Sequence, residues 1–108
     1  MDGRIRGNVL DAVQLGAELG ERATLVQFSS AFCQPCRATR RVLAEVARMV
    51  EGVAHVEIDA EAHLTLVREL EISRTPTVLV LDADGRIVRR AVGQPRTADV
   101  VAALGRAM

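Results

Sequence analysis

The sequence is poor in aromatic side chains and in long apolar runs. It has no Trp, no Tyr and only two Phe, and its fourteen basic residues balance fourteen acidic ones, for a net charge of zero. A nucleic-acid-binding domain usually has a basic excess and stacking aromatics, so the composition argues against that class. No apolar run approaches the roughly 20 residues that cross a bilayer. The opening MDGRIRGN also lacks the apolar stretch of a secretory signal.

The chain does contain enough apolar material for one domain. Its 108 residues are 49% apolar and 26% charged, which is typical of a globular chain. This length predicts a single domain over residues 1–108. We expect a monomer in the cytoplasm. The alternative is that the Arg-bearing start is the remnant of an exported or membrane-anchored parent.

Cysteine is scarce, and both cysteines stand close together. Cys33 and Cys36 are separated only by Gln34 and Pro35. Two cysteines are too few for a secreted scaffold with several bridges or, by themselves, for an iron–sulfur cluster. Three interpretations stay open on this count alone: a redox pair, half of a metal site, or two ordinary buried thiols.

The periodicity of apolar residues predicts an α/β fold. It indicates helices over 8–19, 34–50, 60–70 and 98–106, and strands over 23–28, 53–58, 77–81 and 86–92. The first two strands are joined by a helix and should be parallel, whereas Asp84-Gly85 marks an antiparallel hairpin between the last two. The prediction is a mixed sheet of four strands with helices on both faces. A fifth edge strand would form if the residues around Ile5 joined it.

The predicted elements place Cys33 where a strand ends and a helix begins. Free N–H groups and the positive end of the helix dipole favour an anion there, so we expect a lowered pKa for the Cys33 thiol. Cys36 follows one helical turn later, where it can resolve a mixed disulfide formed at Cys33. Pro35 suits the first turn of the helix and stiffens the ring. We expect Arg40 and Arg41 to be mainly solvated. For Arg37 two interpretations stay open: a solvated side chain, or one that reaches Cys33 and helps to hold the thiolate.

Three marks, in order and spacing, resemble the thioredoxin family over nearly the whole chain. Phe32-Cys33-Gln34-Pro35-Cys36 is similar to the family's Trp-Cys-Gly-Pro-Cys motif. Thr75-Pro76-Thr77 stands where the family has a cis-proline that faces the cysteines, directly before a strand. Val92-Gly93 is similar to the Val-Gly that lines the family's substrate groove.

The resemblance implies a thioredoxin fold and a thiol–disulfide oxidoreductase, most simply a reductase. It implies that Cys33 attacks, Cys36 resolves, and Pro76 is a cis-proline. It also implies a shallow groove for disulfide-containing partner proteins, formed by Phe32, Gln34, Pro35, Thr75 and Gly93. Electrons would come from an upstream thiol reductase or a membrane donor. No bound cofactor or metal is expected besides the redox-active disulfide, and no nucleic acid as partner.

The chain departs from the family pattern beneath the cysteines. The family usually has a buried Asp where this chain has Gln27, and an amide cannot serve as a base. The Lys that commonly accompanies that Asp is replaced by His55. We hypothesise that His55 lies near Gln27 beneath Cys36 and moves protons. The alternative is that His55 is only a hydrogen-bonded strand residue.

Other interpretations also remain open. A metal site formed by Cys33, Cys36, His55 and His63 would have a spacing unlike that of zinc fingers. A binding module without turnover would keep the groove, with Gln27 and Gln34 slowing the chemistry. An oxidase or isomerase of an exported system is a third alternative, because Thr before the cis-proline is similar to exported disulfide isomerases.

Overall fold

A computed structural model describes residues 9–108, and these residues form one four-stranded mixed sheet. The strands are β1 (Ala23–Ser29), β2 (Val53–Asp59), β3 (Thr77–Asp82) and β4 (Ile87–Val92). Their order across the sheet is β2-β1-β3-β4. β1 is parallel to β2 and antiparallel to β3, and β3 is antiparallel to β4. The predicted mixed sheet is therefore confirmed, whereas the proposed strand around Ile5 lies outside the described residues.

In the described part of the chain, four α-helices flank the sheet. They are α1 (Ala12–Leu15), α2 (Gln34–Met49), α3 (Leu64–Glu69) and α4 (Thr97–Ala107), and a 3₁₀ turn (Ala60–Ala62) precedes α3. α2 packs on β1 and β2, and α4 packs on β3, β4 and α2. α1 and α3 contribute Leu15 and Leu66 to the apolar layer on the opposite face. The prediction of helices on both faces is confirmed.

Two apolar layers sandwich the central strand β1, and all seven of its residues are buried. Because successive strand residues point to opposite faces, Val26 and Phe28 join the layer under α1 and α3, whereas Leu25 joins the layer under α2 and α4. Gln27 therefore points toward α2, a position that brings a polar side chain beneath the helix that begins at the cysteines.

The first predicted helix, 8–19, is wrong in extent, because among residues 9–19 only Ala12–Leu15 is α-helical, and residue 8 lies outside the described residues. Asp11 caps it rather than lying inside it, and accepts a hydrogen bond from the Gln14 N–H. Gly16 ends it, since its φ of 70° is a left-handed conformation that glycine adopts without steric cost. The apolar spacing reflects separate anchoring of Leu10, which is buried and donates its N–H to the Gly85 carbonyl at 2.8 Å.

The third predicted helix, 60–70, is interrupted. His63 lies between the 3₁₀ turn and α3 with φ −132° and ψ 54°, which is not helical. Its Nδ1 lies 3.0 Å from the Asp59 carbonyl oxygen, a local contact that stabilises the break. As a result Leu64 is exposed, and Leu66 is the buried residue of α3. The second and fourth helices match the predicted ranges to within one residue.

Candidate active site at the cysteine pair

Cys33 occupies the N-cap position of α2, directly after the loop that follows β1. It is joined to Cys36 by a disulfide, with the two Cα atoms 5.2 Å apart. The Cys36 N–H donates to Cys33 Sγ at 3.2 Å and lies 3.1 Å from the Cys33 carbonyl oxygen. Pro35, which has no N–H to satisfy, is in the first turn as predicted. The helix start therefore already aims a donor at the sulfur that would carry negative charge after reduction.

The two cysteines differ in access. Cys33 is partly exposed, whereas Cys36 is 1% exposed. Gln34 and Pro35 between them are exposed. A partner can therefore approach the Cys33 sulfur from solvent, and Cys36 is reached only from within the protein.

The loop before β3 supplies the second wall of the site. The Thr75–Pro76 peptide bond is cis, as the family resemblance implies. The Thr75 carbonyl oxygen lies 3.9 Å from Cys33 Sγ. The Pro76 carbonyl accepts a hydrogen bond from the Gly93 N–H at 2.8 Å. Thr75 therefore lies beside Cys33, and Pro76 links it to Gly93.

Ser30 joins this loop to the cysteine loop, and sequence reasoning missed it. Its hydroxyl lies 2.7 Å from the Thr75 hydroxyl. The only signal available in the sequence is that a threonine precedes the proline and that small hydroxyl residues follow β1. This hydrogen bond holds the two walls of the site together at the side-chain level.

Phe32 is the most exposed apolar residue of the site. Its side chain is fully exposed, and its φ is 60°, a left-handed conformation that is rare for a bulky residue. Such conformations cluster at functional sites. Val92, at the end of β4 and next to Gly93, is also exposed, so two apolar side chains of the predicted groove are available to a partner.

Gln27 centres a buried polar cluster beneath α2. Its Nε2 donates to the Cys36 carbonyl at 2.8 Å and to the Ser29 hydroxyl at 2.9 Å. Its Oε1 lies 3.2 Å from His55 Nε2. With both amide protons given to oxygens, the Gln27 oxygen accepts from the ring, so Nε2 carries the proton and Nδ1 is left as the acceptor. The structure thus brings His55 to Gln27, while Gln27 reaches Cys36 through its backbone oxygen.

An ion pair lies at the outer end of this cluster. Arg40 of α2 holds Glu57 of β2 through two hydrogen bonds, from Nε at 2.7 Å and from Nη2 at 2.8 Å. These bonds, followed by smaller effects that include the Ser29 hydroxyl, hold the pKa of Glu57 below its ordinary range. Burial is the main reason that the pKa of His55 is lowered, with the positive charge of Arg40 adding to it and the negative charge of Glu57 opposing it. The lowered pKa favours the neutral form of His55, which is the form that can accept a proton.

The sequence predicts that Arg40 is mainly solvated, and its pairing with Glu57 is a further contact that sequence reasoning missed. The order of the elements could have indicated this contact, because a helix that links two parallel strands packs one of its sides against the second strand.

His63 lies apart from the cysteines, with its ring bound to the Asp59 backbone. Among residues 9–108, no three His, Cys, Asp or Glu side chains cluster as a metal site would require. No helix in the same range is both long and apolar enough to cross a membrane.

Comparisons with known proteins agree with this geometry. The family model described as "Thioredoxin" matches residues 12–106. The chain is 32% identical over 75 residues to a thioredoxin from Mycolicibacterium smegmatis, covering 67% of this chain and 66% of that one. It is 27% identical over 77 residues to thioredoxin H5 from Arabidopsis thaliana, covering 71% of this chain and 64% of that one. The chain spans 64% of the length of thioredoxin H5, and 58% and 57% of the length of the H-type thioredoxins from Ricinus communis and Nicotiana tabacum.

Solved structures show the same fold. The crystal structure of chloroplastic thioredoxin z superposes with a TM-score of 0.75 at 24% identity, covering 97% of this chain and 96% of that one. At that identity the likeness establishes the fold alone. The family model, which covers most of the chain and both cysteines, establishes more: this chain belongs to the thioredoxin family.

Proposed function

We propose that the protein is a thiol–disulfide oxidoreductase that reduces disulfides of partner proteins with the Cys33–Cys36 dithiol. The observation that carries the proposal is the accessible Cys33 sulfur at the N-cap of α2, with a backbone N–H directed at it and Cys36 one turn behind. Thioredoxins are enzymes of this kind, and the geometry provides what each step needs.

The reaction proceeds through a mixed disulfide. The Cys33 thiolate attacks one sulfur of a partner disulfide, which forms the Cys33–partner bond and releases the other partner sulfur as a thiolate that takes a proton. Cys36 loses its proton and attacks Cys33 Sγ, which forms the Cys33–Cys36 disulfide and releases the second partner thiolate. The partner gains two electrons and the protein loses two. An upstream thiol reductase then restores the dithiol.

The groove positions the partner for the first step. Phe32, Gln34 and Pro35 on one side, with Thr75, Pro76 and Gly93 on the other, form the contact surface around Cys33. The Thr75 backbone at this position can pair with an extended partner segment, a mode that supplies affinity through main-chain hydrogen bonds. The proposed substrate is therefore a polypeptide disulfide.

His55 is proposed to receive the proton that Cys36 loses before the second step. Its neutral ring is anchored by Gln27, and Gln27 in turn binds the Cys36 backbone. The free Nδ1 takes the proton through solvent, in place of the Asp that the family usually has at the position of Gln27. Gln27 is then a positioning residue, because it acts through His55 and the Cys36 backbone.

Dithiothreitol-driven reduction of insulin tests the enzyme assignment. We expect insulin to precipitate faster with the protein than in buffer, and a Cys33→Ser variant to give the buffer rate. The result against the proposal is a rate equal to buffer for the unaltered protein. That result would favour a binding module, the alternative supported by the amide of Gln27 where a carboxylate base is usual.

A redox titration against glutathione buffers tests the direction. A reductase working in the cytoplasm needs a potential near or below the cytosolic poise, about −220 to −320 mV depending on the method. A potential far more oxidising would move the protein to the oxidase or isomerase class. That class belongs to an exported or membrane-anchored system, and Thr75 before Pro76 is the feature that favours it.

A further inference from the structure

A pocket opens beside the groove, between β4 and α4, and the redox chemistry does not use it. Its volume is about 190 Å³. Val92 and Gly93 line it, and Gly93 is also part of the surface beside Cys33. The hydrogen bond from the Gly93 N–H to the Pro76 carbonyl ties this shared wall to the loop that carries Thr75. The pocket is therefore continuous with the proposed substrate groove.

The floor of the pocket is apolar and formed by small residues. Val78 and Val80 come from β3, and Val100 and Ala103 from α4, all of them buried. Ala91 of β4 lines the side. The two alanines are too short to fill the space between strand and helix. Because β4 is at the edge of the four described strands, the space is open to solvent on that side.

The volume of the pocket indicates which chemical group can occupy it. A cavity of about 150 Å³ with apolar walls can hold a benzene molecule, whereas clefts for whole small-molecule ligands are about 300–1,000 Å³. A volume of about 190 Å³ therefore fits one side chain of the size of leucine or phenylalanine.

The mouth of the pocket is polar. Arg89, Gln94 and Asp99 are exposed around the opening and carry one positive and one negative charge. An apolar floor within a polar rim is the arrangement that holds an anchoring side chain at protein interfaces, where the rim binds the partner's main chain and water. A partner polypeptide can place an apolar side chain on the floor and its polar main-chain groups against the rim.

The pocket lies within reach of a peptide attached at Cys33. Cys33 Sγ contacts Thr75, the next residue Pro76 contacts Gly93, and the pocket extends from Gly93 back along β4. An extended peptide advances about 3.3 Å per residue. A side chain two to four residues from the reactive cysteine of the partner can therefore enter it.

We propose that this pocket is a specificity subsite that takes a leucine-sized apolar side chain, two to four residues from the reactive cysteine of a partner protein. The substrate class rests on the proposed function. Occupancy of the pocket does not require electron transfer, so it can be tested separately.

The test uses synthetic peptides in which Ser replaces the reactive cysteine, so that only binding is observed. One series has Leu at the second, third or fourth residue on either side of that Ser, and the matched series has Ser at the same positions. Methyl NMR of the oxidised protein follows Val78, Val80, Val100 and Ala103 during titration. We expect these methyl signals to shift with Leu at one position and not with its Ser counterpart, with binding about tenfold tighter for Leu.

Variants in which a larger side chain fills the pocket, called filled-pocket variants, provide the second part of the test. Ala103→Leu and Ala91→Ile each occupy the space from a different element, so either one serves if the other fails to fold, and both should abolish the preference for Leu. Val101→Leu on α4 is the matched control, because Val101 is exposed and does not line the pocket. It should keep the preference.

Absence of methyl shifts with every peptide, or a Leu preference that survives in a folded filled-pocket variant, overturns the subsite. Insulin reduction is scored separately. Methyl shifts without insulin turnover would support the subsite and reject the reductase, and turnover without methyl shifts would do the reverse.

Discussion

Cys33 and Cys36 lie one helical turn apart but have different surroundings. Cys33 is partly exposed, and its sulfur contacts the Thr75 carbonyl in the groove. Cys36 is almost wholly buried, and its carbonyl accepts from Gln27, which also binds His55. The groove side is built from backbone and apolar surface, and the buried side from hydrogen-bonded polar side chains.

This difference indicates that the groove side and the buried side have separate roles in the reaction. The groove side can bind a polypeptide and present a thiolate to it, because a donor and open space meet at Cys33. The role proposed for the buried side is to take a proton from Cys36 without admitting the partner. Changes on the groove side should therefore alter partner capture, and changes on the buried side should alter release of the partner.

The largest expected effect is the loss of insulin turnover when either cysteine is replaced, and accumulation of a mixed disulfide distinguishes their roles. Cys33→Ser and Cys36→Ser should each lower insulin turnover by about 10³-fold or more, since the nucleophile and the resolving thiol are both indispensable. Only Cys36→Ser should accumulate a mixed disulfide with the partner, seen by non-reducing electrophoresis or mass spectrometry. Accumulation in Cys33→Ser instead would reverse the assigned roles.

The next largest effect is on the rate at which the partner is released from the mixed disulfide. His55→Ala should slow resolution of a preformed mixed disulfide by about 10²-fold, because proton transfer by a positioned side chain contributes about 10²–10⁴-fold. Stopped-flow measurement of partner release gives the rate, and the pH dependence of that rate should flatten. His63→Ala is the control and should leave the rate unchanged. An unchanged rate in His55→Ala would remove His55 from the mechanism.

The hydrogen bonds of Gln27 should be visible in stability. Gln27→Leu leaves the Cys36 carbonyl and the Ser29 hydroxyl without this donor in a buried place, so the free energy of unfolding should fall by about 1–3 kcal/mol. Urea denaturation of the oxidised protein measures it. Gln94→Leu, an exposed change, should stay within about 0.5 kcal/mol. Equal losses in the two variants would mean that Gln27 is not anchoring the cluster.

The smallest effect is on the pH dependence of stability. Burial lowers the pKa of His55 below its ordinary 6.5, and Arg40 lowers the pKa of Glu57 below its ordinary 4.5. As pH falls, each group takes up its proton in the unfolded chain before it does so in the folded protein. The free energy of unfolding should therefore decrease below pH 6.5 and again below 4.5.

Chemical denaturation between pH 7.5 and about 3 checks this trend. His55→Gln should flatten the upper part of the decline, and His63→Gln should leave it in place. A decline of the same size in His55→Gln would assign the titration to another group.

Much of the fold and the site follows from local sequence patterns. The strands were predictable because each is a short run of β-branched and apolar residues between turn signals, and α2 because its apolar spacing, Pro35 and Gly52 agree. The position of Cys33 at the start of α2 follows from the same strand and helix boundaries. These features depend on neighbours in sequence, which is why sequence alone could indicate them.

The rest depends on contacts between distant segments. The spacing of Val9, Leu10 and Val13 imitated a helix, but Leu10 is fixed by Gly85, more than seventy residues away in the chain. The Ser30–Thr75 and Arg40–Glu57 contacts also join distant segments. The pocket between β4 and α4 arises from what Ala91 and Ala103 leave empty, which no local pattern records.

The central claim is that Cys33 ionises readily at the start of α2, and its alkylation rate tests this most directly. In the reduced Cys36→Ser variant, iodoacetamide should label Cys33 about threefold or more faster at pH 7 than the cysteine of an unstructured peptide. The pH midpoint of the rate should lie clearly below the ordinary thiol value of about 8.5. A rate no faster than the peptide's, with a midpoint at or above the ordinary value, would contradict the account.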